Sequence, residues 1–532
     1  MRRSTYRAAA LAILLLAAAL RFWAIDSGLP HPLTRPDEEV VIAQTKAPAS
    51  GNYDVQWAIY PSAYIYLTWL WGAAGLRAGR LLGVFPPVSY LTTLTADPAR
   101  IILVDRVLSA AAGTATVALV MAVARRAFGT RAGLAAGLLL ATSFLHARDS
   151  HAVKPDVLFG FGVVASLSAM VPLARRASLG RAALAGGAVG LTIATKYPAV
   201  LLCAPAYVAA VMGSRARGWR RILPVSAIVV GLIAAGVFLA TSPFLVLNSQ
   251  SRQNILYLLH TLLPQNVPGV ITAAPPTRQW WEGFTYHALF SLRWGAGLLP
   301  ALLFPVAIVW ALSRRRPLSL LAALFALVYY GVLGTSTVNL ARYMTPLLPV
   351  LALLEAGLLA VVTRRFGRRA VFAVALALLV AEPLARAVAF DRIAARTDTR
   401  VEATRWMAEN LPADANVEVI GTQIWVYGRP QMPPGMTARQ LKPDLETLRQ
   451  AGIRWVLTHD HPLPFSRVPP EVMAALAPHL RLLVEFDPFT AARDEAVFEP
   501  ADAYYIPFHG FAGVRRPGPL IRIYELEPPA TR

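Results

Sequence analysis

The chain has 532 residues, of which 56% are hydrophobic and 15% charged, with a mean hydropathy of +0.49. Soluble domains carry roughly 25% charged residues, so this composition excludes an ordinary soluble enzyme and points to a polytopic membrane protein with apolar blocks matched to a hydrocarbon core of about 30 Å. A net charge of +21 would suggest nucleic acid in a soluble chain; here its distribution reads as topology, and no nucleic-acid partner is expected.

MRRSTYR followed by apolar residues 8–25 has the outline of a signal peptide. No small-residue cleavage site follows, and Arg21-Phe22-Trp23 stands at its exit, so it is read as an uncleaved first helix. Arginine-rich segments without Asp or Glu then mark the cytoplasmic side: 1–7, 125–131, 175–181, 214–221, 313–317 and 363–369. An even number of crossings must separate consecutive members. Helices are predicted at about 132–146 and 157–174 around HARDSHAVKPD, and at 182–195 and 198–213 around TKYP. Others follow at 222–244 and 297–312, on either side of STVNLARY (336–343), and at 370–388.

The aromatic stretch 58–76 is expected to lie along the outer surface or re-enter without crossing. That leaves about 11 transmembrane helices, with the N-terminus cytoplasmic and the C-terminus outside. The single cysteine, Cys203, allows no intrachain disulfide. Beyond 390 the character changes: helical patterns alternate with short β-rich runs at 417–420, 454–458 and 521–525, the signature of a small α/β domain. Two domains are expected, a membrane domain over 1–389 with outer loops 26–100, 146–156 and 245–296, and an extracytoplasmic domain over 390–532.

Most unusual polar residues then fall on the outer face: Asp37, Glu38 and Glu39 in HPLTRPDEEVV; Arg148, Asp149, His151, Lys154 and Asp156; Lys196 and Tyr197; Arg342 and Tyr343. Ionisable groups at the apolar boundary are costly unless paired or hydrated, and a cluster of both signs is a candidate functional site. Each piece also has a plain structural alternative. DEE can be a solvated loop, Arg148 and Asp149 can neutralise each other, Lys196 can snorkel, and Arg342 can anchor a helix start. His260 and His287, in the long outer loop, are weaker signals. The aromatics of QWWEGFTYHALFSLRWG could contact a lipid chain or sugar faces, or form an interfacial belt.

These residues resemble the GT-C superfamily of integral-membrane glycosyltransferases, in particular family 39 and the dolichyl-phosphate-mannose-protein mannosyltransferase-like enzymes. LRFWAIDSGLPHPLTRPDEEVV is similar to their first helix and outer loop, and RVLSAAAGTATVALVMAVARRAFGTRAGLAAGLLLAT to their second and third helices. SHAVKPDVLFGFGVVA, GLTIATKYPAVLL and ARYMTPLLPVLALLEAG resemble the next outer loop, the lysine turn and a late helix. The ordered set, over roughly 8–390, is specific for the superfamily and not for a substrate.

The resemblance implies a bacterial plasma-membrane enzyme that takes a polyprenyl-phosphate-linked sugar and transfers it, with inversion, to a hydroxyl of a lipid, glycan or protein acceptor. That chemistry needs a general base and positive charge facing the departing phosphate. Asp37 is the expected base, with Glu38 orienting the acceptor or holding a metal. Lys196 and Arg342 are expected at the phosphate, with Arg148 as a third. Asp156 would orient a hydroxyl, a basic partner or a cation. Glu38, His151 and Asp156 are candidate ligands for a divalent cation without diagnostic spacing. Glu39 has no assigned role. A transporter or flippase is the first alternative, though no paired halves are evident; a non-catalytic envelope-assembly scaffold and a polysaccharide ligase are the others.

Overall fold

The computed structural model describes residues 3–55, 60–250, 252, 253, 256, 279, 281–314, 316–336, 338–365, 369–421 and 426–527. The chain divides into two compact units. The first contains residues up to 25 and most of 40–388; the second contains 26–39 and the chain from 389 onward. The boundary between them falls at 388/389, and the segment carrying Asp37, Glu38 and Glu39 groups with the tail.

Among the described residues, six helices of the first unit are long and apolar enough to cross a membrane: Arg3–Phe22, Pro98–Phe128, Pro155–Arg175, Pro317–Gly334, Ala341–Arg364 and the apolar part of Arg369–Asn410. Five shorter apolar helices accompany them, at Thr130–Thr142, Leu179–Ile193, Tyr197–Gly213, Val225–Thr241 and Leu298–Ser313. The aromatic stretch forms the helix Ser62–Leu81, which lies against Pro98–Phe128 with the Trp71 indole donating to the Val104 carbonyl at 2.8 Å. The expected helix at 132–146 is broken at Ser143 into Thr130–Thr142 and Phe144–Asp149. After Lys196 the chain starts as a 3-10 turn, Tyr197–Leu202, with Pro198 in its first turn.

Close helix packing comes from small residues. A Cβ at Gly186 would stand 2.7 Å from the Val230 carbonyl oxygen, and one at Gly190 2.6 Å from that of Ala234. Two glycines four residues apart therefore let the backbones of Leu179–Ile193 and Val225–Thr241 touch, the small-xxx-small geometry of membrane helix pairs.

The basic segments gather at one end of this unit. Arg125 stacks on the Tyr6 ring at 4.1 Å, Arg364 donates to the Phe128 carbonyl at 3.0 Å and Arg316 to that of Ala127 at 3.5 Å. Arg175 shares a cavity with Arg126, and the Ala177 amide donates to the Gly213 carbonyl at 3.0 Å. Helix Pro155–Arg175 leads away from that end: Arg175 is in its last turn and Asp156 in its first, and 21 residues at 1.5 Å each make it about 30 Å long.

The second unit is an α/β layer structure. Its strands are β1 (Asn416–Ile420), β2 (Thr437–Arg439), β3 (Trp455–Asp460), β4 (Leu480–Phe486) and β5 (Leu520–Leu526). The sheet order is β2-β1-β3-β5-β4, parallel among β2, β1 and β3 and antiparallel across β5 and β4. Alternation within β1 sends Val417 and Val419 to one face, against Met407 of helix Thr399–Asn410. Ile420 packs on the other face with Leu448 and Leu476 from two short helices. Glu418, on that same face, is buried and accepts the Leu441 amide at 2.9 Å.

Candidate active site

In the first unit, the polar turn between Thr130–Thr142 and Pro155–Arg175 is fixed by Arg21. Its guanidinium, fully buried, donates to the Leu140 carbonyl at 3.1 Å and the Ala141 carbonyl at 3.2 Å, and contacts the His146 Nδ1 at 3.0 Å. A cation thus meets the last carbonyls of a helix, where its charge opposes the helix dipole. Gly113 makes room for this: a Cβ there would lie 2.4 Å from the Ser150 hydroxyl and 3.0 Å from the Arg21 Nε. Ser150 in turn donates to the His146 carbonyl at 2.6 Å.

The turn so held points charge inward. Arg148 is buried and pairs with Asp149 at 3.1 Å, while Thr345 donates to the other Asp149 oxygen at 2.5 Å. Asp156 follows Pro155 at the start of its helix, where a carboxylate is favoured by the dipole. It accepts from Lys196 Nζ at 2.5 Å, with 2% of the Asp156 side chain and 13% of the Lys196 side chain exposed. The Lys196 ammonium lies 5.2 Å from the centre of the Tyr343 ring, a cation–π distance. The Tyr343 carbonyl accepts from Tyr329 at 2.8 Å. Arg342 precedes Tyr343 and is half-buried. Three turns far apart in sequence therefore supply one polar cluster, at the end of Pro155–Arg175 opposite the basic segments. The Tyr197 ring lies edge-on to that of Phe238, with centroids 6.3 Å apart.

In the second unit, Asp37 has φ +70°, a left-handed conformation that Asp and Asn tolerate better than most residues. Glu38 is buried and begins the helix Glu38–Gln44. Glu39 accepts from the Tyr427 hydroxyl at 2.6 Å, and burial, together with the Glu39 charge, raises the pKa of that phenol. Upstream, Arg35 and Asp502 form a buried pair at 2.5 Å beneath the Tyr504 ring, and His31 contacts the Arg429 carbonyl at 2.9 Å. Arg400 is the hub of this region. It binds both oxygens of Asp398, at 2.8 and 2.6 Å, and donates to the carbonyls of Tyr427 at 2.6 Å and Leu33 at 3.3 Å. Burial alone would raise the Asp398 pKa, but Arg400 holds it below its usual value. The acidic loop is thereby bolted to the tail.

Residues 88–246 match the family model described as dolichyl-phosphate-mannose-protein mannosyltransferase, a span that includes the Arg148, Asp156 and Lys196 turns. The fold is similar to that of ArnT from Cupriavidus metallidurans in the apo state, with 17% identity over 96% of this chain and 97% of that one, and a TM-score of 0.50. It is also similar to the Archaeoglobus fulgidus oligosaccharyltransferase in the apo form, with 12% identity, 99% and 89% coverage and a TM-score of 0.53. The archaeal oligosaccharyltransferase AglB from the same organism, in complex with an inhibitory peptide and a dolichol-phosphate, gives 13%, 98% and 88%, and 0.51. The chain shares the overall fold of these proteins. No curated protein matches its sequence.

Each of the three residues considered for a cation has surroundings of its own. Both ring nitrogens of His151 face backbone carbonyls, Nδ1 that of Ala147 at 2.9 Å and Nε2 that of Trp23 at 2.8 Å. Asp156 is paired with Lys196, and Glu38 belongs to the other unit. Among the described residues no group of three or more His, Cys, Asp or Glu is arranged to hold a metal. His287 is buried with its Nδ1 at 2.9 Å from the Ser291 hydroxyl, and His260 lies outside the described residues, as does much of the long outer loop.

A second buried polar group escaped the sequence reading. Asp105 and Arg106 are buried on helix Pro98–Phe128, with Arg106 donating to the Ile25 carbonyl at 3.0 Å. Tyr90 donates to Thr45 at 2.9 Å, and burial with the nearby Asp105 charge raises its pKa. The available signal was an adjacent acid and base inside the apolar run IILVDRVLSA, since ionisable residues within a membrane helix mark function or a specific partner.

Proposed function

We propose that this chain is a glycosyltransferase that moves a hexosyl or pentosyl group from a polyprenyl-phosphate-linked donor to an acceptor hydroxyl, at the extracytoplasmic face and with inversion. The observation that carries the reading is the buried Asp156–Lys196 pair beside the Tyr343 ring, in a GT-C fold and at the helix ends opposite the basic segments. Opposite the arginine clusters means outside by the positive-inside rule.

In this reaction the acceptor oxygen attacks the anomeric carbon, the bond from that carbon to the phosphate oxygen breaks, and the acceptor proton goes to a base. Lys196 has three N–H donors and Asp156 accepts from one, so the ammonium is oriented yet keeps donors for a phosphate. Arg342 adds charge that stabilises the departing lipid phosphate. Arg148, paired with Asp149, serves as a shaping residue in this reading. Asp37 takes the proton and Glu38 orients the acceptor. The tail's role is to hold the loop 26–39 through Arg400, Asp502 and Tyr427. Neither the family match nor the neighbours' bound dolichol-phosphate specifies the sugar; both support a lipid-linked donor.

The test is sugar transfer from a native lipid extract, followed with a panel of polyprenyl-phosphate sugars. The reading requires that Lys196→Ala abolish transfer in protein that still folds. Full turnover by that variant would remove the phosphate site from this cluster.

A further inference from the structure

At the basic end of the first unit, Arg126, Arg175 and Arg316 line one cavity of about 520 Å³. They come from three different segments: the last turns of Pro98–Phe128 and Pro155–Arg175, and the N-cap of Pro317–Gly334. No carboxylate lines the cavity, and among the described residues none of the three arginines forms an ion pair; Arg316 alone has a polar contact, to the Ala127 carbonyl. The three arginines are exposed side chains of one cavity lining, so their like charges are partly screened by water, and an anion among them lowers what repulsion remains. The first residues of an 18-residue helix, Pro317 and Leu318, lie in the same wall and add the positive end of its dipole. The last turns of the other two helices present the opposite end, which the arginines they carry offset.

The remaining wall is mostly apolar, with Val123, Phe128, Val171 and Leu318. Those side chains belong to helices that lead directly into the apolar bundle, so the cavity joins a cationic rim to a hydrocarbon-like wall. Pro172, inside its helix, offers no N–H to the carbonyl of Ser168, and both residues line the cavity. An acceptor that lacks its helical donor suits a headgroup hydroxyl beside the phosphate. A free phosphate would use only the rim; a zwitterionic lipid would bring its own cation against the arginines.

We propose that this cavity is a binding site for an anionic glycerophospholipid of the leaflet on the basic side, its phosphate held by Arg126, Arg175 and Arg316 and an acyl chain along Val123, Val171 and Leu318. The site is remote from the Asp156–Lys196 cluster, about 30 Å away along Pro155–Arg175, and does not depend on the proposed reaction. Basic pockets between membrane helices on the cytoplasmic side recognise such headgroups, each charge weakening binding about fivefold when lost.

The experiment uses the full chain, delipidated in neutral detergent, with phosphatidylglycerol, phosphatidylcholine or inorganic phosphate added singly. Native mass spectrometry counts retained lipid and a thermal ramp reads Tm. The wild type is expected to retain phosphatidylglycerol and gain several degrees, with little response to phosphatidylcholine or phosphate. R126Q/R175Q/R316Q together should weaken retention about a hundredfold. Val171→Trp, which keeps every charge but fills the cavity, should also lose the lipid; it and Arg175→Gln alone decide the matter if the triple variant does not fold. Equal retention by wild type and these variants overturns the proposal. So does an equal response to inorganic phosphate, which would make this a free-anion site, or to phosphatidylcholine, which would make it an unspecific acyl groove.

Discussion

Lys196 Nζ and Asp156 Oδ1 lie 2.5 Å apart, a buried ion pair that joins the turn after Leu179–Ile193 to the first turn of Pro155–Arg175. Removing one member of a buried pair leaves the other charge uncompensated, typically at about 3–5 kcal/mol. Asp156→Asn is therefore expected to lower the unfolding midpoint and to abolish transfer. Replacing both with Leu should recover part of the stability and none of the activity. Thermal unfolding of the two variants beside the wild type, with transfer assays, separates the structural role from the chemical one; a fully active Asp156→Asn would show that the pair does not orient Lys196.

Gly113 sets a second expectation. A methyl at this position meets the Ser150 hydroxyl at 2.4 Å, so Gly113→Ala must turn that hydroxyl away from the His146 carbonyl, losing a hydrogen bond worth about 1 kcal/mol. The turn that carries Arg148 and Asp156 should loosen with it. Ser150→Ala in the Gly113→Ala background removes the clash and is expected to restore part of the loss. If the double variant is no better than the single one, the contact with Arg21 rather than with Ser150 dominates.

Acid should act on the second unit through its histidines. His31 and His459 are lowered to about 4 and His461 to about 3, in each case first by burial and then by the Arg400 or Arg429 charge. A histidine kept neutral in the folded state takes up its proton only on unfolding. Below the ordinary value near 6.5 the unfolded chain binds more protons than the folded one, so stability falls as pH drops from about 6.5 towards 4. The slope is about 1.4 kcal/mol per pH unit for each histidine. Hydrogen exchange of β3 in the intact protein, followed from pH 7.5 to 4.5, should show this loss, and His461→Phe should flatten it. Protection independent of pH across that window would contradict the assignment.

What the sequence made legible followed from periodicity and charge. The apolar blocks and acid-free arginine segments were visible because a bilayer demands long apolar helices and asymmetric loops, and Tyr6, Arg125, Arg316 and Arg364 now share one end of the first unit. Short elements were not visible. β2 is three residues at a sheet edge, and β4 has a register shift at Leu482/Val484 that interrupts alternation. Asp105 and Arg106, and the role of Arg21 in the turn, stayed hidden because each sits within or at the end of an apolar run, and their partners are backbone carbonyls or residues of distant segments. Glu39 lacked a role for a related reason: Tyr427, its partner, is 388 positions away.

Asp37 carries the sharpest prediction, because its backbone separates geometry from chemistry. At φ +70° a β-branched residue is strained, whereas Asn and Gly are accepted. Asp37→Asn and Asp37→Gly should therefore preserve the loop and the unfolding midpoint while removing the base. General-base catalysis contributes roughly 10²- to 10⁴-fold, so transfer should fall by that factor in both. Asp37→Glu keeps the carboxylate but moves it, and is expected to retain partial activity with a changed acceptor dependence. Asp37→Val should lose stability and activity together. Glu39→Gln, which keeps an acceptor for the Tyr427 hydroxyl, should stay close to wild type in transfer. Should Asp37→Asn turn over normally while Glu38→Gln does not, the base is the buried neighbour that opens Glu38–Gln44, and the left-handed turn at Asp37 serves only to aim it.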